Sequence, residues 1–103
     1  MNKNIVFAVV MIGVSSLASC GKNKVACDGS TRTYTADIKS IIDASCVSCH
    51  ANYSTYSGVK ASVSNGTFES EVISKQTMPQ GSKLSDADLT KIKCWLEQGA
   101  PEN

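Results

Sequence analysis

The sequence predicts an all-α fold of three to four helices, on two observations. Apolar residues recur at helical spacing, and no stretch alternates apolar with polar residues for long enough to indicate a strand. The clearest element is the last one, in which Leu89, Ile92 and Leu96 share a face. Ser85 is a capping residue at its start, and Gly99 marks its end.

An earlier helix is predicted to begin near Tyr34, where an apolar stripe continues through Ile38, Ile41 and Ile42. Thr35 is its predicted cap. Two shorter helices follow. Their apolar positions are Tyr56, Val59 and Val63 for the second helix and Phe68, Val72 and Ile73 for the third. Because the sequence shows neither a repeat nor an internal linker, we expect these helices to form one domain.

Composition narrows the class of protein. A net charge of +1 with 18% charged residues offers no basic surface for nucleic acid, and 42% hydrophobic residues argue against a disordered chain. Five cysteines are many for 103 residues, and a reducing cytosol rarely favours them. They imply disulfides, a metal site or a covalently attached cofactor.

The first twenty residues have the organisation of an export signal. Lys3 precedes an uncharged apolar run at 5–14, which is shorter than the roughly 20 residues that span a bilayer. The run ends in Leu-Ala-Ser-Cys at 17–20, which resembles the lipobox of bacterial lipoproteins. The resemblance implies that residues 1–19 are removed and that Cys20 carries lipid, in a protein of the bacterial cell envelope. The alternative is an ordinary secretory signal that happens to end at a cysteine.

Removal of residues 1–19 simplifies the chain that remains. Residues 20–33 are polar and are predicted to form a tether between the lipid and a domain at 34–103. The mature chain keeps one histidine, His50, and one methionine, Met78. A chain of this size gains only marginal stability from a side-chain core, so we expect an additional covalent link such as a disulfide or an attached cofactor.

Residues 46–50 read C-x-x-C-H, the spacing of a c-type haem attachment motif. The two residues between Cys46 and Cys49 place both sulfurs where they can add to the two vinyl groups of one porphyrin. His50 is then carried beneath the ring, where its imidazole can bind iron. Here the chain resembles a small monohaem cytochrome c of bacterial envelopes over residues 34–103. The resemblance implies one covalent haem c with the helices packed around it.

Three other interpretations of the motif remain open. A thioredoxin-like redox pair also uses C-x-x-C, but it needs a βαβ context that the sequence lacks. A zinc site would need a fourth ligand besides the three motif side chains, from Cys27 or Cys94. A simple disulfide between Cys46 and Cys49 would leave His50 without a role.

Met78 is the predicted second axial ligand. The resemblance implies a methionine in a later loop, often beside proline, and the predicted loop at 77–81 contains Thr77-Met78-Pro79. A methionine thioether opposite His50 raises the reduction potential of haem iron. The alternative is that Met78 packs in the core and leaves the iron five-coordinate.

Cys27 and Cys94 are predicted to form a disulfide. On a helical wheel Cys94 lies away from the apolar face of the last helix, and in an oxidising compartment pairing is the economical explanation for the two thiols. The resemblance implies that the first and last helices pack together, so a bridge would strap the tether across the last helix. Free thiols and bridges between molecules are the alternatives.

These features predict electron transfer and not catalysis, because nothing else in the chain offers a substrate pocket or an acid–base pair. The expected partners are redox proteins of the cell envelope. The lipid on Cys20 is expected to anchor the protein to a membrane, and the protein would face the periplasm or the cell surface. One alternative is a five-coordinate or weakly ligated c-type haem domain that binds small ligands or senses redox state. A more distant one is a stapled lipoprotein without a redox role.

Overall fold

The computed structural model describes residues 24–103, and within this part of the chain the fold is helical without strands. The all-α prediction is therefore confirmed for these residues. The predicted signal peptide at 1–19 and the predicted lipid site at Cys20 lie outside the described residues, so both stay predictions. Among the described helices, none has the length and apolar character needed to cross a membrane.

Four helices follow one another along residues 24–103. We label as α1 a π-helical turn and the α-helix that continues it, and as α3 a short α-helix and the π-helical turn that continues it. The bounds are Tyr34–Ile38 with Lys39–Ser45 for α1, Tyr56–Ser64 for α2, Thr67–Glu69 with Ser70–Ser74 for α3, and Asp86–Glu97 for α4. A 3₁₀ turn, Ala51–Ser54, connects α1 to α2.

The cap of α1 is Thr33, and the prediction of Thr35 is wrong. The Thr33 hydroxyl accepts a hydrogen bond from the Ala36 N–H at 3.2 Å, because the first helical residue is Tyr34 and a cap must precede it. The Thr35 hydroxyl instead donates to the Glu102 carbonyl at 2.9 Å. Thr35 therefore holds the C-terminal segment against α1.

Asp37 completes this helix start from inside the first turn. Its carboxylate accepts from the Thr33 N–H at 3.1 Å and from the Arg32 guanidinium at 3.0 Å. The backbone hydrogen bond, and after it the guanidinium, hold the pKa of Asp37 below its ordinary value. Asp37 therefore stabilises the fold in its ionised form.

We expect Asp37→Asn to lower the free energy of unfolding at neutral pH by about 1 kcal/mol, since an ionised acceptor binds more strongly than a neutral one. The folded-state pKa is lowered, so this contribution is complete above the unfolded-state value of about 4 and disappears as pH falls through the lower folded-state value. Urea unfolding at pH 7 and pH 3 measures the difference, which should shrink at pH 3.

The matched control for this prediction is Asp43→Asn on the same helix. Asp43 pairs with Lys39 on the exposed surface, and such pairs contribute little. The role assigned to Asp37 would be contradicted if Asp37→Asn lowered the free energy of unfolding equally at pH 7 and pH 3. It would also be contradicted if Asp43→Asn lowered that free energy by the same amount.

The core lies where α4 packs on α1 and α3. Its centre is Trp95, which is completely buried and donates its indole N–H to the Pro101 carbonyl at 2.9 Å. The same carbonyl accepts from the Tyr34 N–H at 2.9 Å, so the C-terminal segment joins α4 to α1. The other large buried residues are Tyr34, Ile38, Ile41, Ile42, Val59, Phe68, Val72, Ile73, Leu89 and Ile92.

Helix α2 approaches the preceding 3₁₀ turn so closely that position 58 must be glycine. A Cβ atom on Gly58 would lie 1.7 Å from the Asn52 carbonyl oxygen, a backbone atom that cannot move aside. This close approach fixes α2 against the segment that carries residues 50–54.

Helix α4 begins and ends as its sequence predicts. Ser85 accepts a hydrogen bond from the Asp88 N–H at 3.1 Å. The helix ends at Glu97, and Gly99 follows with a φ of +86°, a conformation that glycine adopts without strain.

A disulfide joins the segment before α1 to α4. The sulfur atoms of Cys27 and Cys94 are bonded, and Cys94 is completely buried. Next to it, the Gln98 amide accepts from the Arg32 N–H at 2.8 Å and donates to the Ser30 carbonyl at 2.6 Å. From Cys27 onward, the segment predicted as a tether is thus fastened along α4.

Candidate functional site

A cleft of about 520 Å³ opens between the end of α1, helix α3 and the loop that follows α3. This volume is within the range of cofactor and small-molecule sites. The side chains that line it are Ala44, Ser45, Cys46, Ser48, Cys49, His50, Tyr53, Thr67, Phe68, Glu71, Val72, Met78, Pro79, Gln80 and Ser82. The four residues predicted to hold haem, namely Cys46, Cys49, His50 and Met78, all belong to this one set.

The C-x-x-C-H segment forms a tight turn directly after α1. The Cys46 N–H continues the helix by donating to the Ile42 carbonyl at 2.9 Å, and the Cys46 carbonyl then accepts from Cys49 and His50 at 3.2 and 2.9 Å. This turn brings both thiols and the imidazole to the cleft. The thiols are free, with Cys46 half-buried and Cys49 exposed. The cysteine pair is thus available for covalent attachment.

The His50 ring stacks on the Tyr53 ring. Their centroids are 4.9 Å apart and the planes are inclined by 18°. Tyr53 in turn meets the edge of Phe68 on α3, with centroids 6.2 Å apart. This aromatic contact limits the rotation of the imidazole and connects it to the buried core.

The thioredoxin-like interpretation finds no support in the thiol environment. A redox-active C-x-x-C pair needs a thiolate, which a lowered pKa provides. Burial instead raises the pKa of the Cys46 thiol above its ordinary value. The helical surroundings within residues 24–103 also lack the βαβ unit on which that interpretation depends.

The zinc interpretation loses its fourth ligand. Cys27 and Cys94 are bonded to each other, so neither is available to join the motif side chains. Within residues 24–103, the one trio of Cys, His, Asp or Glu side chains whose donor atoms lie within 4.8 Å of one another is Cys27, Asp28 and Cys94. Two of its members are consumed by the disulfide.

Met78 reaches the cleft from the loop after α3. It is half-buried and packs against the core. Its N–H donates to the Glu71 carbonyl at 3.3 Å, and the neighbouring Thr77 N–H donates to the same oxygen at 2.9 Å. Two backbone hydrogen bonds thus hold Met78 and Thr77 against the Glu71 carbonyl, where the chain turns back after α3.

Glu71 is a cleft residue that sequence reasoning missed. Its carboxylate accepts from the Thr77 hydroxyl and from the Lys75 ammonium group, which lies at 3.2 Å. The Thr77 hydrogen bond, and after it the Lys75 interactions, hold the pKa of Glu71 below its ordinary value. No sequence signal marks this contact, because it joins positions six apart across the end of a helix.

The chemistry of the cleft wall suits a large apolar ring. Phe68 and Val72 are buried in the wall, and Glu71 is the one Asp, Glu, Lys or Arg side chain among the described lining residues. Two thiols, an imidazole and a thioether are the donor set that a covalent His/Met haem uses. The residues present therefore fit haem c.

Sequence comparison and structure comparison give no relative: no protein-family model, no curated protein and no solved structure matches the chain.

Proposed function

We propose that this protein is a monohaem c-type electron-transfer protein. The observation that carries the proposal is that Cys46, Cys49, His50 and Met78, which lie on two segments separated by α2 and α3, line one cleft of about 520 Å³. The buried Phe68 and Val72 give the cleft an apolar wall that favours a planar hydrophobic cofactor.

Each residue has a defined role in this proposal. Cys46 and Cys49 would hold the haem through thioether bonds, and His50 and Met78 would bind its iron. A haem bound there supplies reversible one-electron chemistry at its iron. Tyr53 stacks on His50 and orients the imidazole, as groups around a metal ligand commonly do.

The wider setting is also a proposal. We propose that Cys20 is lipidated after removal of residues 1–19 and that the domain exchanges electrons with redox proteins of the bacterial cell envelope. The support is the order of Lys3, the apolar run and the cysteine in the sequence. The Cys27–Cys94 disulfide is consistent with an oxidising compartment.

The full chain, expressed in a bacterium that exports and matures c-type cytochromes, tests the proposal. Haem should remain attached through denaturing electrophoresis, and the reduced protein should resist carbon monoxide because both axial positions are filled. The double variant Cys46→Ala/Cys49→Ala should lose the covalent haem, whereas Cys27→Ala/Cys94→Ala should keep it.

Two outcomes would overturn this function. If the wild-type chain carried no covalent haem under these conditions, the cleft would not be a haem c site. If covalent haem were present but bound carbon monoxide rapidly, the alternative of a ligand-binding c-type haem domain would replace electron transfer.

A further inference from the structure

We infer that the Glu71 carboxylate and the Thr77 hydroxyl form a latch that positions Met78 in the cleft. The inference rests on the proposed function, since it assigns to these two residues the control of the second axial ligand. Glu71 and Thr77 are positioning residues in this assignment, because they act through Met78.

The backbone forms the first part of the latch. After α3 the chain reverses at Gln76, which has a φ of +52°, so that Thr77 and Met78 turn back toward Glu71. Their N–H groups donate to the Glu71 carbonyl at 2.9 and 3.3 Å. The direction in which the Met78 side chain leaves the backbone is therefore defined relative to α3.

The side chains form the second part. The Thr77 hydroxyl lies between the carboxylate and the carbonyl of Glu71, donating to the first and lying 3.3 Å from the second. The other carboxylate oxygen faces the Lys75 ammonium group at 3.2 Å. A hydrogen bond to an ionised acceptor is stronger than one to a neutral group, so this contact ties the residue next to Met78 to the helix.

The latch should govern how often Met78 leaves the iron. A loop ligand dissociates when its loop moves, and each contact that holds the loop lowers the population of the open form. The two backbone hydrogen bonds remain in every side-chain variant. Loss of the carboxylate–hydroxyl contact should therefore loosen the ligand without releasing it completely.

Imidazole binding to the ferric holoprotein measures this population, because imidazole can bind only where Met78 has left. We expect Glu71→Ala and Thr77→Val each to raise the apparent affinity for imidazole by about two- to fivefold, the ratio that corresponds to one solvent-exposed charged contact. Thr77→Ser keeps the hydroxyl that Thr77→Val removes, so its affinity for imidazole should equal that of the wild type.

The matched control is Glu69→Ala, which removes a carboxylate from the same helix. Glu69 pairs with Lys93 on α4, at 3.0 Å, and is not among the residues that line the cleft. Glu69→Ala should leave imidazole affinity unchanged. If Glu71→Ala and Thr77→Val matched the wild type, or if Glu69→Ala increased affinity equally, the latch would be refuted.

The same samples separate failure of the latch from failure of the proposed function. Methionine-bound ferric haem has a weak long-wavelength absorption band, which should be present in the wild type. If the wild type lacked this band, the axial assignment of Met78 would be wrong. If the band were present and the latch variants bound imidazole like the wild type, only the inference about Glu71 and Thr77 would be wrong.

Discussion

In the proposed haem protein, replacing Met78 with alanine should lower the reduction potential by on the order of 100 mV, part of the roughly 0.8 V range that axial ligation spans. The thioether favours ferrous iron, so its removal destabilises the reduced state. The variant should also bind carbon monoxide readily, since one axial position becomes free. Redox titration and the reduced spectrum with and without carbon monoxide measure the two effects.

Two further variants separate ligation from packing at this position. Met78 packs against the core, so Met78→Leu keeps most of the apolar volume and removes only the sulfur. It should behave like Met78→Ala in both measurements. Met78→His should close the iron to carbon monoxide again while keeping the potential low. A Met78→Leu protein with the parental potential would exclude Met78 as an iron ligand.

Removing the disulfide should cost about 3–5 kcal/mol of unfolding free energy in the chain-entropy treatment of cross-links. The bond joins positions 67 apart, so its loss frees a long loop in the unfolded chain. The double variant Cys27→Ala/Cys94→Ala is the suitable test, because neither thiol remains to pair wrongly with the motif cysteines. Urea unfolding monitored by circular dichroism gives the difference.

The disulfide prediction has a spectroscopic control. Neither Cys27 nor Cys94 lines the cleft, so the double variant should keep the visible spectrum of the parent while its unfolding midpoint falls. In the same reductant, which equalises the state of the iron, the wild type and the double variant should have equal stability. An unfolding free energy within about 1 kcal/mol of the parent would show that the fold does not depend on this staple.

The helices could be predicted from sequence where local signals agree. In α4 the apolar face, the Ser85 cap and Gly99 all indicate one helix, and the structure begins and ends it accordingly. In α1 the periodicity was sufficient, but two threonines compete for the cap. The choice of Thr33 depends on the first helical residue, while Thr35 bonds the distant C-terminal segment.

The site could be predicted only in part, for a physical reason. The C-x-x-C-H turn is local, so its members can be recognised from spacing alone. Met78 lines the same cleft as that turn because of how α2 and α3 pack. The sequence suggested this arrangement only through the resemblance to small cytochromes. Glu71 gave no signal, because its contact with Thr77 requires the reversal at Gln76.

The position of the Cys27–Cys94 bond has a mechanical consequence. Tension between the two ends of the chain would pass through Cys27 directly into Cys94 and then along residues 95–103. Every residue that lines the cleft lies between the two cysteines in sequence and is bypassed by this load path. A pull on a segment ahead of Cys27 would thus pass into the last turn of α4 along covalent bonds that do not include the cleft residues.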